Sequence, residues 1–130
     1  MAKGMKNIYT DRAPEPIGPY SQAVETGGFI FTSMQLPIDP DNPDKVYGSV
    51  AEEAKQLIAN LFAVIGAGGG TPASIVKTTL YMTDLNDFMV VNEVYADLFG
   101  DHEPARSVVN VQTVPKGYRL AMEAVAVKDI

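Results

Sequence analysis

The residues best suited to chemistry in this chain are Arg106, Glu123, Tyr20 and, by elimination, His102. Arg106 follows Pro104-Ala105 at the head of a β-branched run, and Glu123 interrupts an otherwise apolar run from Leu120 to Val127. An arginine's planar fork can hold a carboxylate through two charge-assisted hydrogen bonds, and a carboxylate can move a proton. If the two segments pair antiparallel across the turn at residues 113–118, Arg106 lies opposite or diagonal to Glu123, on one face with Val108 and Ala121. Two readings follow: a guanidinium offered to a substrate, or a plain ion pair of Arg106 with Glu123 or Glu103. Tyr20 also has two. Gly18-Pro19 fixes a turn that delivers it to the start of a strand, where its hydroxyl lines a cleft or its ring packs in the core.

Composition removes most other chemistries. With no cysteine and one histidine, the chain has no thiol nucleophile, disulfide framework or Cys/His zinc site. His102 sits in Gly100-Asp101-His102-Glu103-Pro104, which reads as a solvated loop and a poor setting for a serine–histidine triad. Any metal site would be mostly carboxylate. The candidate run, Asp39, Asp41 and Asp44, is held extended by Pro37, Pro40 and Pro43 and reads as solvated surface, so no metal is expected. Ten basic against sixteen acidic residues give a net charge of −6 and a pI near 4.6. That balance repels phosphate backbones and anionic lipid, so neither nucleic acid nor membrane is expected as a partner. The first fifteen residues lack an apolar run, and nothing reaches the roughly 18 apolar residues of a membrane span. A cytosolic location is the expectation for so cysteine-poor a chain.

The elements that must position these residues are legible from periodicity. At 130 residues and 46% hydrophobic, the chain reads as one domain over residues 1–130. A helix is predicted from Ser49 to Ile65, with Val50, Ala54, Leu57, Ile58, Leu61, Phe62 and Ile65 on its buried stripe. Glu53, Lys55, Gln56 and Asn60 fall on its opposite, polar face. Ser49 and Glu52 form a capping box, and Gly66 with Gly68 to Gly70 stops the helix. That glycine run is no phosphate loop, since Thr71-Pro72 stands where a lysine is required. A second helix is predicted from Leu85 to Phe99, capped by Asp84 and ended by Gly100. Strands are predicted at 29–33, 74–82, 105–112 and 119–128, with a weaker one at 20–25. The order β-β-α-β-α-β-β describes an α+β domain with both helices on one face of the sheet. Leu120, Met122, Ala124 and Ala126 point one way in the last strand while Ala121, Val125 and Val127 point the other. Two helices cannot cover both faces, so the second face is expected to meet other subunits in a homo-oligomer.

Several segments together resemble one family. Ala13-Pro14, Ile17 to Ala23, Val76 to Thr79, Asp84 to Phe88, Val91-Asn92 with Tyr95, Pro104 to Ser107 and Glu123 to Ala126 look like the RidA (YjgF) family, collinearly over nearly the whole chain. The resemblance implies a chorismate-mutase-like α+β fold, a mixed sheet, and a homotrimer with clefts between subunits. It also implies an enamine/imine deaminase, hydrolysing 2-aminoacrylate or 2-iminobutanoate to a 2-keto acid and ammonia with no cofactor and no metal. Arg106 matches the family's carboxylate-clamping arginine; Tyr20, Ser33, Asn92 and Phe88 match cleft positions. Three departures stand out. Met34 replaces a glycine that borders the ligand, Val108 replaces a frequent cysteine, and Ala121 stands where the water-activating glutamate is usual. Glu123 is the remaining carboxylate on that strand face, up to ~7 Å further along. A second reading is therefore a trimer that binds 2-keto acids or related carboxylates with weak or no turnover. A third, from labels the family has carried, is endoribonuclease or translation inhibitor; the acidic balance and the single histidine count against it.

Overall fold

Side-chain alternation in the last strand decides the layering. In β6 (Leu120–Val127), Leu120, Met122, Ala124 and Ala126 are buried against helix α1 (Val50–Ala67), while Glu123, Val125 and Val127 lie half-buried on the other face. The computed structural model describes residues 1–128. They form a mixed six-stranded sheet with α1 and α2 (Phe88–Phe99) on one face. The strands are β1 (Met5–Ile8), β2 (Ala23–Thr26), β3 (Phe29–Thr32), β4 (Ile75–Met82), β5 (Ala105–Asn110) and β6, in spatial order β1-β2-β3-β6-β4-β5. Among the described residues no helix is long and apolar enough to cross a membrane.

The expected antiparallel pairing of the last two strands does not occur. β6 inserts between β3 and β4, antiparallel to both, and β5 pairs with β4 in parallel, Arg106 opposite Thr78. The reason is connectivity. A strand, a helix and a strand in succession form a crossover that lays the second strand parallel to the first, and β4–α2–β5 is such a unit. A strand apolar on both faces belongs at the centre of a sheet, where β6 is found. β1 was not expected at all; its Met5-Lys6-Asn7 stretch is exposed on an edge, and only Ile8 is buried. β2 begins at Ala23, so Tyr20 precedes the strand rather than opening it.

α1 buries Leu57, Ile58, Leu61, Val64 and Ile65 almost completely, each side chain contributing about 1.5–3 kcal/mol. Its polar face is not all solvated, contrary to the periodicity. Glu53 is buried and accepts from the Arg119 backbone N–H at 2.9 Å and from Arg119 Nε. Asn60 is fully buried, and its amide donates to the Leu36 and Ile38 carbonyls at 2.9 and 2.8 Å. Both residues serve neighbouring chain, which helical spacing does not report. At the helix start, Ser49 Oγ accepts from Glu52 N and donates to the Glu52 carboxylate. The glycines beyond it give close packing: a Cβ on Gly68 would stand 2.6 Å from Ile8 Cδ1.

The sheet face away from the helices carries Phe29, Phe31, Val76 and Val109, all about 40% exposed. Four large apolar side chains share this surface.

Candidate active site

Arg106 reaches its position through a chain of aromatic contacts that begins in the core. Phe62 of α1 meets Phe99 of α2 edge-on at 5.2 Å, Phe99 stacks on Tyr95 at 4.2 Å, and Tyr95 exchanges a 2.8 Å hydrogen bond with Thr78 of β4. The Arg106 guanidinium carbon then lies 4.8 Å from the Tyr95 ring centre and 5.4 Å from that of Phe88. Such cation–π contacts contribute about 0.5–2 kcal/mol each and hold the plane of the fork. Arg106 Nη1 donates to Asn92 Oδ1 at 2.9 Å. Phe88, Asn92 and Tyr95 stand on one side of α2 because their spacing of four and three residues is the helical repeat. Tyr95 is both a core residue and one wall of this site. Burial pushes its phenol up, opposed by the Thr78 bond and the Arg106 charge, so it stays neutral near pH 7.

This arrangement leaves most of the fork unspent. Among the described residues no carboxylate lies within ion-pair distance of Arg106, so the pairing with Glu123 or Glu103 is not formed. Arg106 and Glu123 fall on opposite faces of the sheet, because their cross-strand partners on β4, Thr78 and Thr79, are adjacent residues. Of the guanidinium's five donors the side-chain bonds use one; the others can take a carboxylate in two parallel hydrogen bonds. A hollow of about 420 Å³ opens beside Arg106, lined also by Asn92, Tyr95, Gly100, His102 and Glu103. His102 is half-buried there, not solvated, with Nε2 donating to the Ile75 carbonyl at 2.6 Å.

The other expected residues lie elsewhere. Tyr20 is about half exposed, which excludes the core reading, and its hydroxyl accepts from Ile17 N at 3.2 Å. Tyr20 and Met34 line a narrow crevice of about 30 Å³ that shares no residue with the hollow at Arg106. The segment is anchored by Gln22, which the sequence did not flag. Its buried amide donates to the Thr10 and Pro14 carbonyls and accepts from Thr10 N. Ser33 Oγ is committed to the Ser21 carbonyl at 2.6 Å. Ala121 is fully buried, directly across from Tyr81. The Tyr81 hydroxyl donates to the half-buried Glu123 carboxylate, which pushes the phenol pKa up. Within one chain, Arg106, Asn92 and Phe88 come together, and Tyr20, Met34 and Glu123 do not join them.

Comparison with known proteins agrees with this architecture. The family model described as Endoribonuclease L-PSP matches residues 10–128. The human protein named 2-iminobutanoate/2-iminopropanoate deaminase is 45% identical over 121 residues, covering 93% of this chain and 88% of its own. The crystal structure of Escherichia coli TdcF with bound serine superposes with a TM-score of 0.91 at 41% identity, over 95% of this chain and 99% of that one. The E. coli YjgF gene product superposes with a TM-score of 0.90 at 43% identity, over 94% and 98%. From residue 10 to residue 128, then, in sequence and in strand order alike, this chain belongs to the RidA (YjgF) family.

Proposed function

We propose that the protein is an enamine/imine deaminase acting on small 2-imino acids such as 2-iminobutanoate and the tautomer of 2-aminoacrylate. The observation that carries this reading is the Arg106 fork, fixed by Asn92 and two aromatic rings with its remaining donors free. The human relative's name specifies this reaction, and the E. coli relative holds serine, another small molecule with a carboxylate beside a nitrogen-bearing carbon. Arg106 grips the carboxylate and so presents C2 of the iminium. Water adds to C2, the C–N bond breaks, and the products are a 2-keto acid and ammonium. Because C2 is already electrophilic, orientation supplies much of the acceleration, and no cofactor or metal is required for the attack.

The assembly that completes the site is a homotrimer, with Tyr20 and Met34 of one copy closing on Arg106 of another. Two observations support it: the exposed Phe29, Phe31, Val76 and Val109 face, and the division of the expected cleft residues between two separate hollows. The test is loss of imine in a coupled assay that generates it in situ. Wild type should accelerate the loss and Arg106→Ala should abolish the acceleration; undiminished activity in the variant overturns the proposal.

Ala121 favours a second reading, a trimer that holds 2-keto acids with little turnover. The position is sealed, and Glu123, the carboxylate two residues further along the strand, is occupied by Tyr81. Saturable keto-acid binding without acceleration of imine loss would establish it.

A further inference from the structure

The hollow beside Arg106 is longer than a four-carbon imino acid requires. Asn92, Tyr95, Ala96, Phe99 and Gly100 line it, at the i, i+3, i+4, i+7 and i+8 positions of one helix face, so it follows α2 for about 12 Å at 1.5 Å per residue. Arg106 stands at the Asn92 end, to which it is bonded. His102 stands at the other, because its Nε2 donates to the Ile75 carbonyl whereas Arg106 lies beside Thr78, three residues or about 10 Å further along β4. Glu103 adjoins His102 on the same lining. The volume of about 420 Å³ falls within the roughly 300–1,000 Å³ of small-molecule sites, whereas the carbon chain of 2-iminobutanoate spans only three bonds, about 4 Å.

The two ends differ in charge. At one, most of the guanidinium donors of Arg106 are free. At the other, acceptors predominate. Glu103 has no cation within ion-pair distance among the described residues. The last turn of α2 carries no basic residue, so the partial negative charge of its carbonyl end is uncompensated there. With Nε2 of His102 donating, Nδ1 of the neutral ring is an acceptor. Between the ends, the stacked rings of Tyr95 and Phe99 supply an apolar wall.

We propose that the Arg106 site takes 2-imino acids whose side chain ends in a cation, a guanidinium foremost. This rests on the deaminase reading and names the substrate class it favours. The carboxylate lies on Arg106, the methylene stem on Tyr95 and Phe99, and the guanidinium at Glu103 and the carbonyl end of α2. In 2-imino-5-guanidinopentanoate six bonds separate the carboxyl carbon from the guanidinium carbon, about 7 Å when extended, and a charge-assisted bond of about 2.8 Å at each end spans the rest. A terminal amine at C5 would instead close onto C2; a guanidinium stays protonated and has no lone pair to do so. Water adds to C2, the C–N bond breaks, and 2-keto-5-guanidinopentanoate and ammonium leave. An anionic side chain would face Glu103 and is rejected.

The test is calorimetric titration of the full chain with three 2-keto acids, which are stable in water and correspond to the products. They are 2-keto-5-guanidinopentanoate, its neutral isostere 2-keto-5-ureidopentanoate, and the anionic 2-ketopentanedioate. The guanidino acid should bind at least five-fold tighter than either of the others. Glu103→Gln should erase that preference, and Glu103→Lys should transfer it to 2-ketopentanedioate. Glu93→Gln, which neutralises an exposed acid of α2 outside the hollow, should leave it intact. The proposal is overturned if the guanidino acid has a smaller advantage, if Glu103→Gln keeps the advantage, or if Glu93→Gln loses it equally. Coupled imine loss separates this from the reading beneath it. Preferential binding without acceleration of any imine loss sinks the deaminase alone, and acceleration for 2-iminobutanoate without preference for the guanidino acid sinks the present proposal alone.

Discussion

Asn92 bonds the Arg106 fork on one side, and its removal tests whether the fork works by being held. The 2.9 Å bond from Arg106 Nη1 to Asn92 Oδ1 joins a neutral acceptor to a charged donor, a class worth about 1.5–3 kcal/mol. Asn92→Ala should therefore lower kcat/KM for imine hydrolysis by about 10- to 100-fold, at 1.4 kcal/mol per decade. Arg106→Ala removes up to two charge-assisted bonds to the substrate carboxylate, about 3–6 kcal/mol, for a loss of about 10²–10⁴. If Asn92 acts only through Arg106, the double variant should be no slower than Arg106→Ala, with a coupling energy equal to the whole Asn92 effect. Asn92→Asp supplies a further readout. Its carboxylate would hold the guanidinium more tightly and compete with the substrate, raising KM above that of Asn92→Ala. The assay is the coupled imine-loss measurement over a range of imine generation rates. Multiplicative single effects in the double variant, or an Asn92→Asp enzyme with unchanged KM, would refute the positioning role.

Other outcomes follow from the same structure. Glu53→Gln leaves the partly exposed Arg119 guanidinium facing a neutral amide at the buried position of Glu53 and should cost about 1–3 kcal/mol in urea unfolding, solvent screening the unpaired charge; an unchanged stability would contradict the assigned pair. Tyr47 is held neutral to about pH 12 when folded, against an ordinary phenol near 10. Below pH 10 it contributes nothing to the pH dependence. Between 10 and 12 only the unfolded chain ionises, and wild type should lose up to roughly 2–3 kcal/mol that Tyr47→Phe retains; parallel stability curves for the two would exclude that shift. Ala121→Glu buries a carboxylate at a sealed position and should lower stability in urea unfolding; in the folded variant, if a water activator limits the rate, turnover should rise by about 10²–10⁴, and an unchanged rate with cooperative unfolding retained would exclude that cause. Phe31→Asp places a charge on the exposed sheet face; in sedimentation equilibrium wild type should behave as the proposed homotrimer and the variant as a monomer, and a trimer mass for both would remove that face from the interface.

Periodicity located both helices and five of the six strands, because each had a buried stripe or alternating face long enough to be read. β1 escaped since only Ile8 of its four residues is buried. The strand order escaped for another reason. Local sequence reports which residues a strand buries and not which strand lies beside it, whereas the β4–α2–β5 succession itself dictates a parallel crossover. Once β6 is placed between β3 and β4, the imagined Arg106–Glu123 pair separates onto opposite faces.

At the site, residue types alone singled out Arg106, because a chain with no cysteine and one histidine leaves few groups able to grip or transform a small molecule. Motif spacing brought Asn92 and Phe88 to the same helix face, since the helical repeat is a local property. The roles of Tyr95, Gln22, Glu53 and Asn60 depend on contacts with chain 8 to 66 residues away, and no local pattern encodes those. The sequence by itself determined the element types, the buried stripes and the available chemistry. Only the tertiary structure decided which face each charge occupies, because facing depends on strand order and register, and both are settled by packing over the whole sheet.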